Sequence, residues 1–370
     1  MEPIRSLVGA EFPLFAFSHC RDVVAAVSRA GGFGVLGGSS FTPESLEQEL
    51  QWIDAHVDGK PYGVDILIPE HQALGSEIDI DALVARIPSG HIDFTLDLLD
   101  AHGISATRGE ILSRELPATL PGIGEALMDV AFRHPIRLIV NALGIAPSSM
   151  IDRARAHGVP VGALVGAKEH AIRQVAAGVD LIIAQGGEAG GHCGEVSTLV
   201  LVPEVIRAVA PVPVLAAGGI MTGRQMAGCM AMGAAGVWTG SVWLATTEAE
   251  TGEVFREKMI AASSRDTVRS KTRTGKPSRQ LRSAWHDAWD SNDSPGALPM
   301  PIMSMLSIPA FRRIDKAADG GNAAARELVS YWVGQGVGLV DAIRSAAAVV
   351  QQFKDEFADA VGAMLAMVEE

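Results

Sequence analysis

Residues 180–192, DLIIAQGGEAGGH, run from a short apolar segment directly into a loop with two glycine pairs that ends on an imidazole, His192. Leu181, Ile182, Ile183 and Ala184 are apolar at consecutive positions. A strand of that kind has both faces buried, as in a parallel sheet covered by helices. Glycine removes the Cβ where a backbone must approach a ligand or take positive φ, so the loop delivers His192 close to whatever binds there.

The same pattern repeats on either side. Apolar runs at Leu14 to Ser18, Gly34 to Gly37, Tyr62 to Ile68, Arg137 to Leu143, Val161 to Val165, Asp180 to Gln185, Val214 to Ala217 and Gly236 to Thr239 read as eight strands. Between them lie stretches of helical periodicity, among them Val23 to Ala30, Pro43 to His56, Ser148 to His157 and Lys168 to Ala177. Eight successive strand–helix units predict an α/β protein with a (β/α)8 TIM barrel. Two segments exceed a minimal barrel. Residues 69–136, after the third strand, leave the face where barrels carry their active sites and are expected to form a lid or substrate wall. Residues 251–370 are expected to be a helical C-terminal extension packed on a 1–250 barrel that includes the insertion. This extension begins with a basic tract, Arg265 to Arg282, read as solvated or salt-bridged, and is helical from Ala323 onward.

Composition narrows the partners. The chain has 370 residues, 48% of them hydrophobic, and a net charge of −13. Such a charge opposes nucleic acid or an anionic membrane as the main partner and favours a small molecule. Cys20, Cys193 and Cys229 are scattered, without the spacing of a disulfide framework or a zinc site, so no metal is expected. No apolar run approaches the ~20 residues of a membrane-spanning helix. The chain is expected to be cytoplasmic, with exposed C-terminal helices that could support a homodimer.

Candidate binding residues follow from the last strands. PVLAAGGI (213–220) ends in Gly218-Gly219, and GVWTGS (236–241) ends in Gly240-Ser241. In the seventh and eighth positions of a barrel, such turns commonly hold a phosphate on backbone N–H groups, with Thr239 and Ser241 hydroxyls as further donors. Taken alone, the same glycines also suit tight strand-to-helix turns. Gly32 to Gly37 matches GxGxxG but precedes and enters a strand, so it reads as a turn rather than a dinucleotide site. Met300, Met303 and Met305 read as core.

AQGGEAGGH, PVLAAGGI and VWTGS, together with AVSRAGGFGVLG at 26–37, resemble the nitronate monooxygenase family, also called 2-nitropropane dioxygenases. The likeness spans about 12–248 and reaches weakly to Gly334-Gln335-Gly336-Val337-Gly338. It implies an FMN-dependent barrel in which Gln185, Gly190 and Gly191, Gly218 and Gly219, and Trp238, Thr239, Gly240 and Ser241 contact FMN. It also makes His192 the catalytic base. Near its ordinary pKa of ~6.5, that histidine would take the acidic α-proton of a nitroalkane, with electrons passing to FMN and then to O2.

Three positions depart from the family pattern. Phe17 stands where the first strand usually ends in a Pro-Met pair against the flavin, and His19 beyond it would be a second base or a helix cap. Asp65 follows Gly63-Val64 where an asparagine is usual. A carboxylate there accepts but cannot donate, and it disfavours an anionic reduced ring unless it is protonated or paired. Cys193 follows the histidine where a basic residue is common. The departures keep open an NAD(P)H-dependent FMN reductase acting on a quinone or an enoyl-thioester such as an acyl-CoA, and a catalytically silent flavin-binding module.

Overall fold

Eight parallel strands close into a barrel in sequence order: β1 (Leu14–Ser18), β2 (Phe33–Gly37), β3 (Tyr62–Ile66), β4 (Ile139–Asn141), β5 (Val161–Val165), β6 (Leu181–Gln185), β7 (Val214–Ala217) and β8 (Gly236–Thr239). The computed structural model describes residues 2–68, 79–113 and 122–369. Closure is direct, with Trp238 of β8 paired to Phe15 of β1. This is the predicted (β/α)8 barrel.

Strand alternation sorts the apolar residues into two cores. Leu14, Ala16, Val64, Ile139, Ala163, Ile182, Ala216 and Val237 face outward to the helices. Phe15, Phe33, Val35, Leu138, Val140, Leu181, Ile183, Leu215 and Trp238 fill the interior. Ile4 and Val8 of the helix Glu2–Val8 join that interior cluster, together with Ala235 at the start of β8, so the N-terminal helix plugs the lower end of the barrel. Only the upper end remains for a ligand.

The helical ring is completed from far along the chain. Helix Ala346–Glu369 packs between Gly223–Ala231 and Arg21–Arg29, in the place an eighth barrel helix would take directly after β8. Gly223 makes that approach possible, because a Cβ there would overlap the Phe353 carbonyl and lie 2.6 Å from Phe357 N. The Gly223 amide donates to Glu356 Oε2 at 2.9 Å, and Lys354 Nζ donates to the Ala30 carbonyl at 2.7 Å. Among the described residues, no helix is long and apolar enough to cross a membrane.

The C-terminal segment is not helical throughout. The basic tract folds instead into an antiparallel hairpin, β9 (Thr267–Ser270) and β10 (Ser278–Leu281), and the helix begun at Ala323 stops at Leu328. Arg269 on β9 bonds to Glu195 and the Cys193 carbonyl, and Gln280 on β10 accepts from Arg273. Met303 and Met305 are buried in helix Ile302–Asp319 as core residues.

Helices Ile80–Val84 and Ser89–Ala101 of the insertion lean on helix Ile302–Asp319, with Arg313 paired to Glu110 at 2.7 Å and Phe94 edge-on to Trp289 at 4.9 Å. Helix Ile123–Ala131, within 69–136, instead packs on Pro43–His56 and β3 as an ordinary barrel helix. Residues 69–78 and 114–121 of the insertion lie outside the described residues.

Candidate active site

Strand parity brings four of the expected residues to one level. Phe17, Asp65, Gln185 and Trp238 occupy inward positions near the C-terminal ends of β1, β3, β6 and β8, each in step with the interior residues of its own strand. Trp238 lies beneath Phe17, their rings stacked at 6.0 Å and 28°, and on its other side it stacks on Phe15 at 6.3 Å. The result is an aromatic floor flanked by one carboxyl and one carboxamide.

Asp65 is 4% exposed, and among the described residues no hydrogen bond or ion pair reaches its carboxyl. Burial alone pushes its pKa well above the usual carboxylate range.

The loop after β6 is locked from below. Gly186 N donates to the Ala217 carbonyl (2.9 Å), while Thr198 gives both its amide and its hydroxyl to Glu188 Oε2, each at 2.9 Å. Thr198 Oγ1 also lies 3.2 and 3.1 Å from the carbonyls of Ala217 and Gly218. These bonds tie the His192 loop to the turn carrying Gly218 (φ 111°) and Gly219 (φ 70°). Only glycine adopts such angles without strain.

The hairpin holds the same loop from above. Arg279 Nε and Nη2 both donate to the Gly187 carbonyl, at 3.0 and 2.9 Å, and the backbones of Arg279 and Gly191 exchange two hydrogen bonds at 2.7 and 3.0 Å. Arg269 donates to the Cys193 carbonyl (3.2 Å) and pairs with Glu195 (2.9 Å). His192 Nδ1 lies 3.1 Å from the Pro277 carbonyl. A carbonyl can only accept, so in the neutral ring the proton sits on Nδ1 and the Nε2 lone pair remains available. Although the residue is exposed, loss of solvation lowers its pKa below 6.5, helped by Lys276 and opposed by the Pro277 carbonyl.

Gly190 meets the C-terminal segment: a Cβ there would stand 2.8 Å from Gly334 N. Gly334 N in turn donates to Ser241 Oγ (2.9 Å), and Gln335 N to the Glu188 carbonyl (2.8 Å). Ser241 therefore accepts one bond and keeps its own O–H to donate. Thr239 behaves differently from expectation. It faces outward, its hydroxyl donates to the Phe15 carbonyl at 2.8 Å, and Trp243 Nε1 donates to it at 3.0 Å, so it holds the barrel seam. His19 caps no helix; its Nδ1 donates to the Gly37 carbonyl (2.9 Å), its ring is edge-on to Phe17 (5.1 Å), and although the residue is exposed, loss of solvation around the ring lowers its pKa, opposed by the Gly37 carbonyl.

Sequence reasoning missed Arg279, Arg269, Pro277 and Thr198. The available signal was a basic hairpin sequence inside an acidic chain, which needs a reason to be there.

A family model described as nitronate monooxygenase matches residues 16–356. The chain belongs to the nitronate monooxygenase family. It is 53% identical, over 99% of each chain, to a Mycobacterium tuberculosis protein named "Putative monooxygenase Rv1533", and 28% identical to a probable nitronate monooxygenase of Staphylococcus saprophyticus over 91% of this chain and 92% of that one. Among solved structures, a nitroalkane oxidase from Streptomyces ansochromogenes superposes with a TM-score of 0.79 at 25% identity, covering 98% of this chain and 99% of that one. FabK from Thermotoga maritima does so at 0.68 and 26%, covering 98% of each. Membership makes this protein a flavin-dependent oxidoreductase acting on small molecules.

The geometry fits a flavin on its own terms. An aromatic floor suits a flat ring, a buried carboxyl without a hydrogen bond among the described residues sits on β3, and Gly191 and Gly240 leave open space where a Cβ would stand, the latter next to the Ser241 hydroxyl.

Proposed function

We propose that this protein is an FMN-dependent nitronate monooxygenase that oxidises nitroalkanes or their nitronates with O2 as acceptor, His192 serving as general base. One observation carries the reading: His192 stands on the loop after β6 with Nδ1–H committed to the Pro277 carbonyl and, among the described residues, no hydrogen bond to Nε2. A neutral imidazole of lowered pKa is already in its basic form at pH 7, which suits removal of an acidic C–H proton.

FMN, when bound, would supply the two-electron chemistry and the path to O2. Gly218, Gly219, Gly240 and Ser241 would hold its phosphate, as turns after the seventh and eighth strands do in other barrels. Phe17 and Trp238 would support the ring, with Asp65, Gln185, Gly190 and Gly191 along its edges; Thr239 would contribute through the barrel seam it ties. His192 Nε2 takes the α-proton, and the Arg279 guanidinium keeps the loop from drifting as the ring becomes charged.

A second reading, an NAD(P)H-dependent reductase of a larger acyl or quinone substrate, is supported by the insertion, whose helices stand with Ile302–Asp319 as added wall. The discriminating variant is His192→Asn. Oxidation of a neutral nitroalkane should fall by more than ~100-fold, within the range ascribed to general-base catalysis, while oxidation of the preformed nitronate changes little. Equal loss on both substrates would refute the base assignment.

A further inference from the structure

Asp65 raises a question that the proposed chemistry leaves open. It points into the upper barrel from β3, between Gly37 of β2 and Val140 of β4, its register partners. Neither neighbour offers a charge or a side-chain hydrogen bond. Among the described residues, His19 is a titratable group on the same inward side: its ring lies 2.6 Å from where a Gly37 Cβ would stand, with its Nδ1–H committed to the Gly37 carbonyl (2.9 Å) and no hydrogen bond to Asp65. Arg269 and Arg279 are both occupied by the His192 loop. Among the described residues, no cation is placed to compensate an ionised carboxyl.

We propose that Asp65 is a neutral carboxylic acid whose O–H donates a hydrogen bond to an acceptor on the edge of the flavin ring. The inference rests on the flavin reading above. Two observations point the same way. The side chain is buried at 4% exposure and no hydrogen bond or ion pair among the described residues reaches it, and the desolvation that follows raises its pKa. A buried, uncompensated carboxylate is far costlier than the acid, so the group keeps its proton. In that form it has a donor, which a carboxylate lacks. An Asp65→Asn variant keeps a donor at this place, while Asp65 adds a proton that alkali can remove. Once ionised, the same group would set a negative charge against a ring that gains negative charge on reduction.

Infrared spectroscopy of the flavin-free protein, with aspartate carboxyls labelled by ¹³C, reads the proton directly. At pH 8, Asp315, whose pKa burial raises to about 6, is ionised and does not interfere. The spectrum should retain one protonated aspartic acid band, absent from Asp65→Asn. Its absence in the wild-type protein would overturn the proposal. FMN titrations, followed by quenching of flavin fluorescence, test the donation. Asp65→Asn should bind FMN within about twofold of wild type and Asp65→Ala about tenfold more weakly, the equivalent of one neutral hydrogen bond. Asp65→Asn binding as weakly as Asp65→Ala would refute donation even with the band present. If the wild-type protein binds no FMN, the cofactor reading fails along with the proposed acceptor, a result distinguishable from a missing infrared band.

Discussion

Replacing Asp65 by Asn should stabilise the flavin-free protein, and increasingly so as pH rises. An unfolded aspartate ionises with its ordinary pKa of 3.8, whereas the folded protein keeps the Asp65 proton well above that value. The folded pKa is raised, so the stability tied to this proton is fully present below pH 3.8 and is lost as pH rises toward the folded pKa. Each unit of pH in that window costs the wild-type fold about 1.4 kcal/mol. The cost relative to a group that does not titrate therefore grows as pH rises above 3.8 and levels off once the folded pKa is passed. Asparagine is of similar shape and buries a comparable polar group, so desolvation largely cancels in the difference. Urea unfolding of both proteins at pH 5, 6, 7 and 8 measures the gap without assuming anything about other titrating groups, which are common to both. A gap that widens toward neutrality and then flattens supports the account, and the point of flattening gives the pKa. A gap independent of pH, or one that narrows, would refute it.

Other consequences can be checked in the same protein. Gly186→Ala would place a Cβ into Thr198 Oγ1 and N, with Thr198 Cα only 2.7 Å away, so melting should show a loss of ~1–3 kcal/mol and FMN titration a weakened site. Arg279→Lys keeps a positive charge but loses the paired bonds to the Gly187 carbonyl; kcat/KM on a neutral nitroalkane should fall about tenfold, with the histidine's limb of the pH–rate profile moving up toward 6.5. In the wild-type enzyme that limb should lie below 6.5, the rate staying level above it and falling about tenfold per pH unit beneath it. A limb at or above 7 would argue against a neutral, desolvated His192.

The barrel was legible because its strands are buried on both faces and therefore appear as uninterrupted apolar runs. Gly186, Gly190, Gly218 and Gly219 were legible for a related reason: each marks a place where the backbone approaches another segment, and the structure shows what a Cβ would strike there. The eighth helix was not, since it arrives after a detour of about a hundred residues and nothing local ties Ala346–Glu369 to β8. The hairpin at 267–281 was hidden differently. Its Arg and Ser content carries no apolar alternation, because the buried face of its strands is polar, with Ser270, Ser278 and Gln280, and its arginines bond to the His192 loop. Thr239 looked like a phosphate donor, yet its side chain turns away with the outward parity of β8. Asp65 was singled out by its place after Gly63-Val64, but its burial without a hydrogen bond among the described residues is visible only in the three-dimensional surroundings.

The central claim, a flavin oxidase acting on nitronates, is tested most directly by anaerobic stopped-flow mixing of the FMN-loaded protein with an alkyl nitronate and, separately, with NADH and NADPH. The account predicts rapid bleaching of the yellow absorbance by the nitronate and none by either nicotinamide. Rapid bleaching by NADH or NADPH, with the nitronate inert, would contradict it and favour the reductase.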